Sequence, residues 1–284
     1  MKSPLRYPGG KSRAVDLIVP LIPEDCGELC SPFLGGGSIE LAVAERGTKV
    51  YGYDIFEPLV WFWQALLSEP TKLATLCDGM RVWNPEYLKK LKVRNSNPPE
   101  YYYVPQRGIL REEFEKCREE LKQMKTYSVK AAALFYAINR SSFSGATFSG
   151  GFSKRSAHAR FTNKSICNVK NFKQPNLTVA HADFKTSIPQ HPDAFLYLDP
   201  PYLLEEDKNR LYGIQGSTHA GFDHVGLHAL LTQRSNWVMS YNDCAEIRTL
   251  YKDYEIRELQ WNYGMNKSKK SSEIVILAGG KNGK

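Results

Sequence analysis

The chain has 284 residues, 42% hydrophobic and 24% charged, with a formal net charge of +8, which suits one large or two modest packed domains. It holds no run of the ~18 apolar residues that a membrane span needs, and its opening MKSPLRYPGGKSR lacks the apolar stretch of a secretory signal. Six cysteines are present, but beyond Cys26 and Cys30 no second close pair or histidine cluster completes a zinc set, so reduced thiols, no metal and a cytoplasmic setting are expected.

The first strand falls in ELCSPFL, residues 28–34, and runs into Gly35-Gly36-Gly37. SIELAVAER follows as a helix, with Ser38 as its N-cap, an apolar face of Ile39, Leu41, Ala42 and Val43, and Gly47 as its stop. KVYGYDIF is a second strand ending at Asp54, and Pro58 suits the first turn of a helix over 57–69. Strand, glycine loop, helix and strand in that order make half of a doubly wound α/β sheet.

The pattern then breaks. Residues 84–110 carry Pro85, Pro98, Pro99 and Pro105 with little periodicity, and helices are expected near 111–125 and 128–139. RSSFSGATFSGGFSKRSAHARF comes next, rich in Gly, Ser and basic residues; 139–162 is expected to form a β-hairpin. From Leu177 the sheet pattern resumes: strands in LTVAHADF, AFLYLD and NWVMSYND, helices near 223–233 and 244–252, and strands near 254–261 and 273–278. The expected organisation is a catalytic domain from 1–69 and 174–284 interrupted by an insertion over 70–173.

Charge singles out one segment. Between Leu121 and Ala182 there is no acid and there are ten bases, leaving 28 basic against 30 acidic residues elsewhere. A solvated face would intersperse acids, so the segment reads as a surface for a polyanion.

Three strand ends carry chemistry. The glycine loop lets backbone approach a ligand, and the next helix adds its dipole. Asp54, 19 residues after Gly35, stands where a carboxylate accepts from ribose hydroxyls. Together they imply an adenosine-bearing cofactor. The dinucleotide fingerprint needs a small residue where Glu40 stands, which disfavours a nicotinamide enzyme. HADF ends a third strand with Asp183, able to accept from an adenine amino group, and Phe184, able to cover the purine.

The fourth strand ends in Asp199-Pro200-Pro201-Tyr202. Two adjacent prolines cannot continue a ladder. The exocyclic amino group of adenine delocalises its lone pair into the ring, so a catalyst must accept both amino protons. Asp199 supplies one acceptor, the carbonyl of Pro200 the other, and Tyr202 a ring to stack on the base. The same acceptors stabilise positive charge growing on nitrogen.

With YPGGK (7–11), SPFLGGGSIEL, YGYDI, FYAINR, HADF and YLDPPY in that order, the chain resembles the Dam-type DNA adenine-N6 methyltransferases of the alpha group, whose cofactor motifs precede a target-recognition insertion and then the catalytic motif. The resemblance implies a Rossmann-like methyltransferase sheet with a mostly helical insertion carrying a β-hairpin. It implies S-adenosyl-L-methionine as donor and site-specific adenine methylation of double-stranded DNA with base flipping, as in restriction-modification. Tyr7, Lys11, Asp54 and Asp199 would contact the cofactor, with Phe33, Gly35, Gly37, Asp183 and Phe184 lining its pocket. The catalytic set would be Asp199, Pro200, Pro201 and Tyr202. Other acceptors of the same chemistry stay open, namely cytosine N4, an RNA base or a glutamine amide, as does a DNA-binding homologue without activity.

For DNA, the candidate wedges are Phe143, Phe148 and Phe152, though packing in the insertion is the competing role for them. The candidate base or phosphate contacts are Asn139, Arg140, Lys154, Arg155 and Arg160, with Lys267, Lys269 and Lys270 in a second basic loop at 262–272. The family often has Trp where Tyr7 stands, Asn-Gly where Ser144-Gly145 stands, and a Gly-Glu-Phe-Asn stretch where this chain has GGFSKRSAHARF. The target is therefore not taken to be GATC. A monomer or weak dimer, in a bacterial or virus-infected cell, is expected.

Overall fold

The computed structural model describes residues 1–93, 98–203, 221–259 and 273–278. Along the chain come α1 (Val15–Ile18), β1 (Glu28–Ser31), α2 (Ser38–Ala44), β2 (Lys49–Asp54) and α3 (Glu57–Ser68). Next are α4 (Pro70–Gly79), β3 (Val82–Lys92), β4 (Tyr101–Gly108), α5 (Arg111–Gln123), α6 (Val129–Ser141), α7 (Lys154–Ala159) and α8 (Asn163–Lys170). The last stretch holds β5 (Leu177–His181), α9 (Phe184–Gln190), β6 (Phe195–Leu198), α10 (His224–Leu231), β7 (Trp237–Asn242), α11 (Ala245–Leu250), β8 (Glu255–Leu259) and β9 (Glu273–Leu277). Contacts divide the chain into two compact units. One is Met1–Ser3, Gly9–Val60 and Gln174–Lys284; the other is Pro4–Pro8 and Trp61–Lys173.

The first unit is built on a seven-stranded sheet in the order β5-β2-β1-β6-β7-β9-β8. β9 runs antiparallel to both neighbours and every other pair is parallel. This is the expected Rossmann-like α/β architecture. β1 pairs with β2 on one side and β6 on the other, Leu29 lying opposite both Val50 and Phe195. The order of the strands reverses there, so ligands belong at the carboxyl ends beside it. The central strands read as apolar runs because helices cover both faces: Leu196 to Leu198 in β6 and Trp237 to Tyr241 in β7 are buried. Leu196, Leu198, Trp237, Met239, Ile274 and Ile276 share one core cluster.

Three local expectations are corrected. Ser38 does not cap α2. Gly37 is the cap residue, in the left-handed region at φ 64°, and no side chain caps the helix. The sharp exit from β1 requires that conformation immediately before the helix, where only glycine is unstrained.

The hairpin is not at 139–162. There α6 runs to Ser141, a short turn spans Phe143–Gly145, one isolated bridge joins Ser142 to Phe152, and α7 follows. Local capping wins over strand pairing. Ser153 accepts from Ser156 N at the start of α7, and Thr162 and Ser165 form a capping box on α8. The antiparallel hairpin is instead β3–β4, in the stretch whose prolines suggested irregular chain. Pro85 falls in the register shift between Asn84 and Leu88, so it interrupts no ladder bond.

Candidate active site

Two strand ends shape the glycine loop. Leu34 N donates to Tyr53 O at 2.8 Å, tying the loop to β2, and Gly35 sits at φ 47°. Asp54 accepts from the loop, Gly35 N lying 3.0 Å from Oδ2, while Phe56 N lies 2.9 Å from Oδ1. Burial pushes the Asp54 carboxyl up, and the two N–H groups oppose that shift. Gly52 in β2 makes room for Leu34, since an added Cβ would come 2.9 Å from the end of that side chain and force it to shift.

Under this loop lies a carboxyl that the sequence set only against the dinucleotide fingerprint. Glu40 on α2 is buried and accepts from Ser31 Oγ at 2.6 Å. Burial pushes it up to about 7, against the Ser31 hydrogen bond, with Asp199 and Lys11 acting on it in opposite senses.

The centre of the arrangement is Asp199, directly after β6. Lys11 Nζ lies 2.7 Å from each of its carboxylate oxygens and donates also to Gly9 O at 3.0 Å. Ser240 Oγ on β7 donates to Asp199 Oδ1 at 3.0 Å. On the other side of Lys11, Glu273 Oε2 stands 3.8 Å away and accepts from the Tyr202 hydroxyl at 2.9 Å. Glu273 opens β9 with its side chain 4% exposed. The Tyr202 ring stacks on Tyr241 at 5.7 Å, and the Lys11 ammonium lies 5.0 Å from the ring centroid. Tyr241 OH donates to Pro201 O at 3.2 Å and also bonds His224 Nδ1. The fold thus gathers Lys11, Asp199, Tyr202 and Glu273 from three separate chain segments.

Three aromatic rings lie near the carboxyl end of β1. Phe33 is 5.9 Å from Phe184 and 5.6 Å from Phe222, and Phe184 is 5.3 Å from Phe222. Asp183 is exposed and caps α9, accepting from Thr186 N at 2.8 Å. At least one of its oxygens therefore has a structural task.

The remaining expected site residues belong to the second unit or lie outside the described residues. Tyr7 is half-buried in the Pro4–Pro8 segment. Asn139, expected at the DNA, faces the interior instead. It is buried, and its amide is consumed by backbone: Oδ1 accepts from Arg6 N at 3.1 Å, while Nδ2 donates to Arg6 O at 2.8 Å and Gly145 O at 3.0 Å. The Arg140 guanidinium is likewise spent on carbonyls, with two bonds to Arg160 O and one to Pro4 O.

Among the candidate wedges, Phe148 is buried and Phe152 packs edge-on against Phe114 at 5.4 Å, so both serve the insertion's core. Phe143 is 64% exposed. Lys154 and Arg155 are exposed, Lys154 paired with Glu86 at 2.6 Å, and Arg160 is half-buried. Lys267, Lys269 and Lys270 lie outside the described residues.

Glu273, Ser240 and Tyr241 were missed by sequence reasoning. The available signal was a carboxylate opening an otherwise apolar strand, EIVIL; buried acids occur where something pairs with them. Among the described residues no three His, Cys, Asp or Glu side chains gather as a metal set, and no helix is long and apolar enough to cross a membrane. Residues 7–265 match the family model described as D12 class N6 adenine-specific DNA methyltransferase, which covers most of each unit and every element of the arrangement around Asp199 except β9.

Proposed function

This chain belongs to the D12 class N6 adenine-specific DNA methyltransferases, and from that premise we propose that Asp199, Pro200, Tyr202, Lys11 and Glu273 hold the target amino group against the methyl donor. The enzyme methylates the N6 position of adenine in DNA. The donor is taken to be S-adenosylmethionine, which supplies a methyl group already activated on a sulfonium. The residues present suit it. Asp54 offers a carboxylate to the ribose hydroxyls, Gly35 and Gly37 let backbone approach, and Phe33 and Phe184 offer rings to the purine. Lys11, between Asp199 and Glu273, is a cation for the donor's carboxylate, with Asp183 as a further contact.

The target base must leave the duplex to be reached, at a cost of a few kcal/mol. Tyr202 then stacks on it. That ring is held in advance, its hydroxyl by Glu273 and its face by Tyr241. Pro201 O already accepts from Tyr241, so Pro200 O is the carbonyl left to pair with Asp199 around the amino protons. As nitrogen gains positive charge, Asp199 and the buried Glu273 stabilise it without reorganising. Alignment of nitrogen and methyl carbon does most of the rest. The second unit is assigned to recognition of a duplex site, with Phe143, Lys154 and Arg155 as its exposed candidates.

The observation that carries this reading is Lys11 Nζ bridging Asp199 at 2.7 Å and Glu273 at 3.8 Å, with Tyr202 tied to the same Glu273. A double-mutant cycle tests it. If Glu273 acts through the Tyr202 hydroxyl, Tyr202→Phe and Glu273→Gln each lower kcat roughly tenfold at nearly constant KM, and the double variant loses little more. Losses that multiply would contradict the assignment.

A further inference from the structure

The β3–β4 ribbon carries a face that the methyl-transfer site does not use. Its register places Trp83 opposite Arg107, Leu88 opposite Pro105, Lys90 opposite Tyr103 and Lys92 opposite Tyr101. On β4 positions 107, 103 and 101 fall on one side of the alternation, so Arg107, Tyr103 and Tyr101, with Trp83 and Lys90 opposite the first two, address one side of the ribbon. At its base Arg107 is tied to Asp78 at 2.8 Å, but beyond it that side is exposed: Trp83 is 67% exposed, Tyr103 59%, Tyr101 49%, and Leu88 and Lys90 are exposed too. The ribbon's base, in contrast, is anchored. Tyr87 is buried, bonds Ile109 O at 2.9 Å and stacks on His158 of α7 at 5.0 Å. Gly108 leaves no room for a Cβ against the Ala157 carbonyl, 2.8 Å away.

Three large rings held out to water by a rooted two-stranded ribbon call for a partner. The charge on the face says which. No position on it is acidic. The one acid in the register shift, Glu86, is paired with Lys154. Lys90 Nζ lies 4.0 Å from the Tyr101 ring centroid, so cation and ring share one patch. Protein interfaces enrich tyrosine and tryptophan but deplete lysine. Surfaces for single-stranded nucleic acid combine stacking rings with cations along the backbone. Tyr101 and Tyr103, two residues apart, stand ~6.6 Å from each other along the strand, about twice the 3.4 Å rise between stacked bases.

We propose that this face of the β3–β4 ribbon binds unpaired DNA, stacking bases on Trp83, Tyr103 and Tyr101 and taking phosphates at Lys90. It is a contact separate from the Asp199 arrangement and requires only that DNA be the substrate.

The test uses the full chain and fluorescence anisotropy with a labelled mixed-sequence single strand and a labelled duplex of equal length. Tyr101→Ala with Tyr103→Ala is expected to weaken single-strand binding tenfold or more, to weaken duplex binding less, and to leave kcat on plasmid DNA within twofold. The paired Tyr→Phe variant keeps the rings and is expected to keep the affinity, which separates stacking from a folding defect. Lys90→Glu is expected to weaken single-strand binding and flatten its salt dependence. Unchanged single-strand affinity in the Tyr→Ala pair overturns the proposal. So does an equal loss on both DNAs, or a loss of self-association with DNA binding intact.

Discussion

The end of β6 and the segment from 139 to 162 resemble each other as sequence, each mixing aromatic rings, charge and backbone-bending residues, yet the fold uses them in opposite ways. After β6, side chains from distant positions converge: Lys11, Ser240 and Glu273 all reach Asp199 or its neighbour Tyr202. In 139–162, polar groups turn inward on nearby backbone. Asn139 holds Arg6 and Gly145, and Arg140 holds the Arg160 carbonyl. A parallel sheet delivers strand ends to one edge, so polar residues there are left for a ligand. A compact helical segment with tight turns must satisfy its own carbonyls first, and its conspicuous polar residues are spent on that.

Substitutions at the two places should therefore fail differently. Asp199→Ala removes an acceptor from the reacting nitrogen and is expected to cut methylation by roughly a thousandfold or more, with the melting temperature and DNA affinity nearly unchanged; methylation assays beside anisotropy check this. Asn139→Ala should do the reverse. It strands buried groups on Arg6 and Gly145 and is expected to cost about 3 kcal/mol of stability, read by urea unfolding. Lost DNA affinity at full stability would return Asn139 to the interface.

The sheet strands, the glycine loop, Asp54 and the Asp199–Tyr202 motif were legible because short apolar runs and strand-end chemistry are local signals. The β3–β4 hairpin was not, because Pro85 resembles a breaker until the register shift that accommodates it is visible. Nor was Glu273 legible as a partner of Tyr202. Seventy-one residues separate them, and only the β7–β9 pairing, with Asn242 opposite Glu273, brings them together. The inward use of Phe148 and Asn139 followed from packing, which composition does not encode.

Smaller effects sharpen the contrast. Burial holds the Glu40 carboxyl at about 7, above its ordinary 4.5. Between those values the folded chain keeps a proton that the unfolded chain releases, so stability falls as pH rises through that window, by about 1.4 kcal/mol per unit. Glu40→Gln should remove that slope in thermal unfolding measured from pH 5 to 8; a slope that persists would assign it elsewhere. In the insertion, Ser144 (φ 56°) and Thr147 (φ 47°) occupy the left-handed region without being glycine. Ser144→Asn, a residue that tolerates this conformation, is expected to stabilise by a few tenths of a kcal/mol up to about 1, seen as a small rise in Tm.

The assignment of transfer to the end of β6 is tested most directly by methylating an unmodified plasmid with purified protein and reading modified bases by single-molecule sequencing, with the wild-type chain and Asp199→Ala side by side. The account predicts N6-methyladenine at one short recurring sequence for the wild type and none for the variant. Methylation that survives in Asp199→Ala, or that falls on cytosine N4, would contradict it.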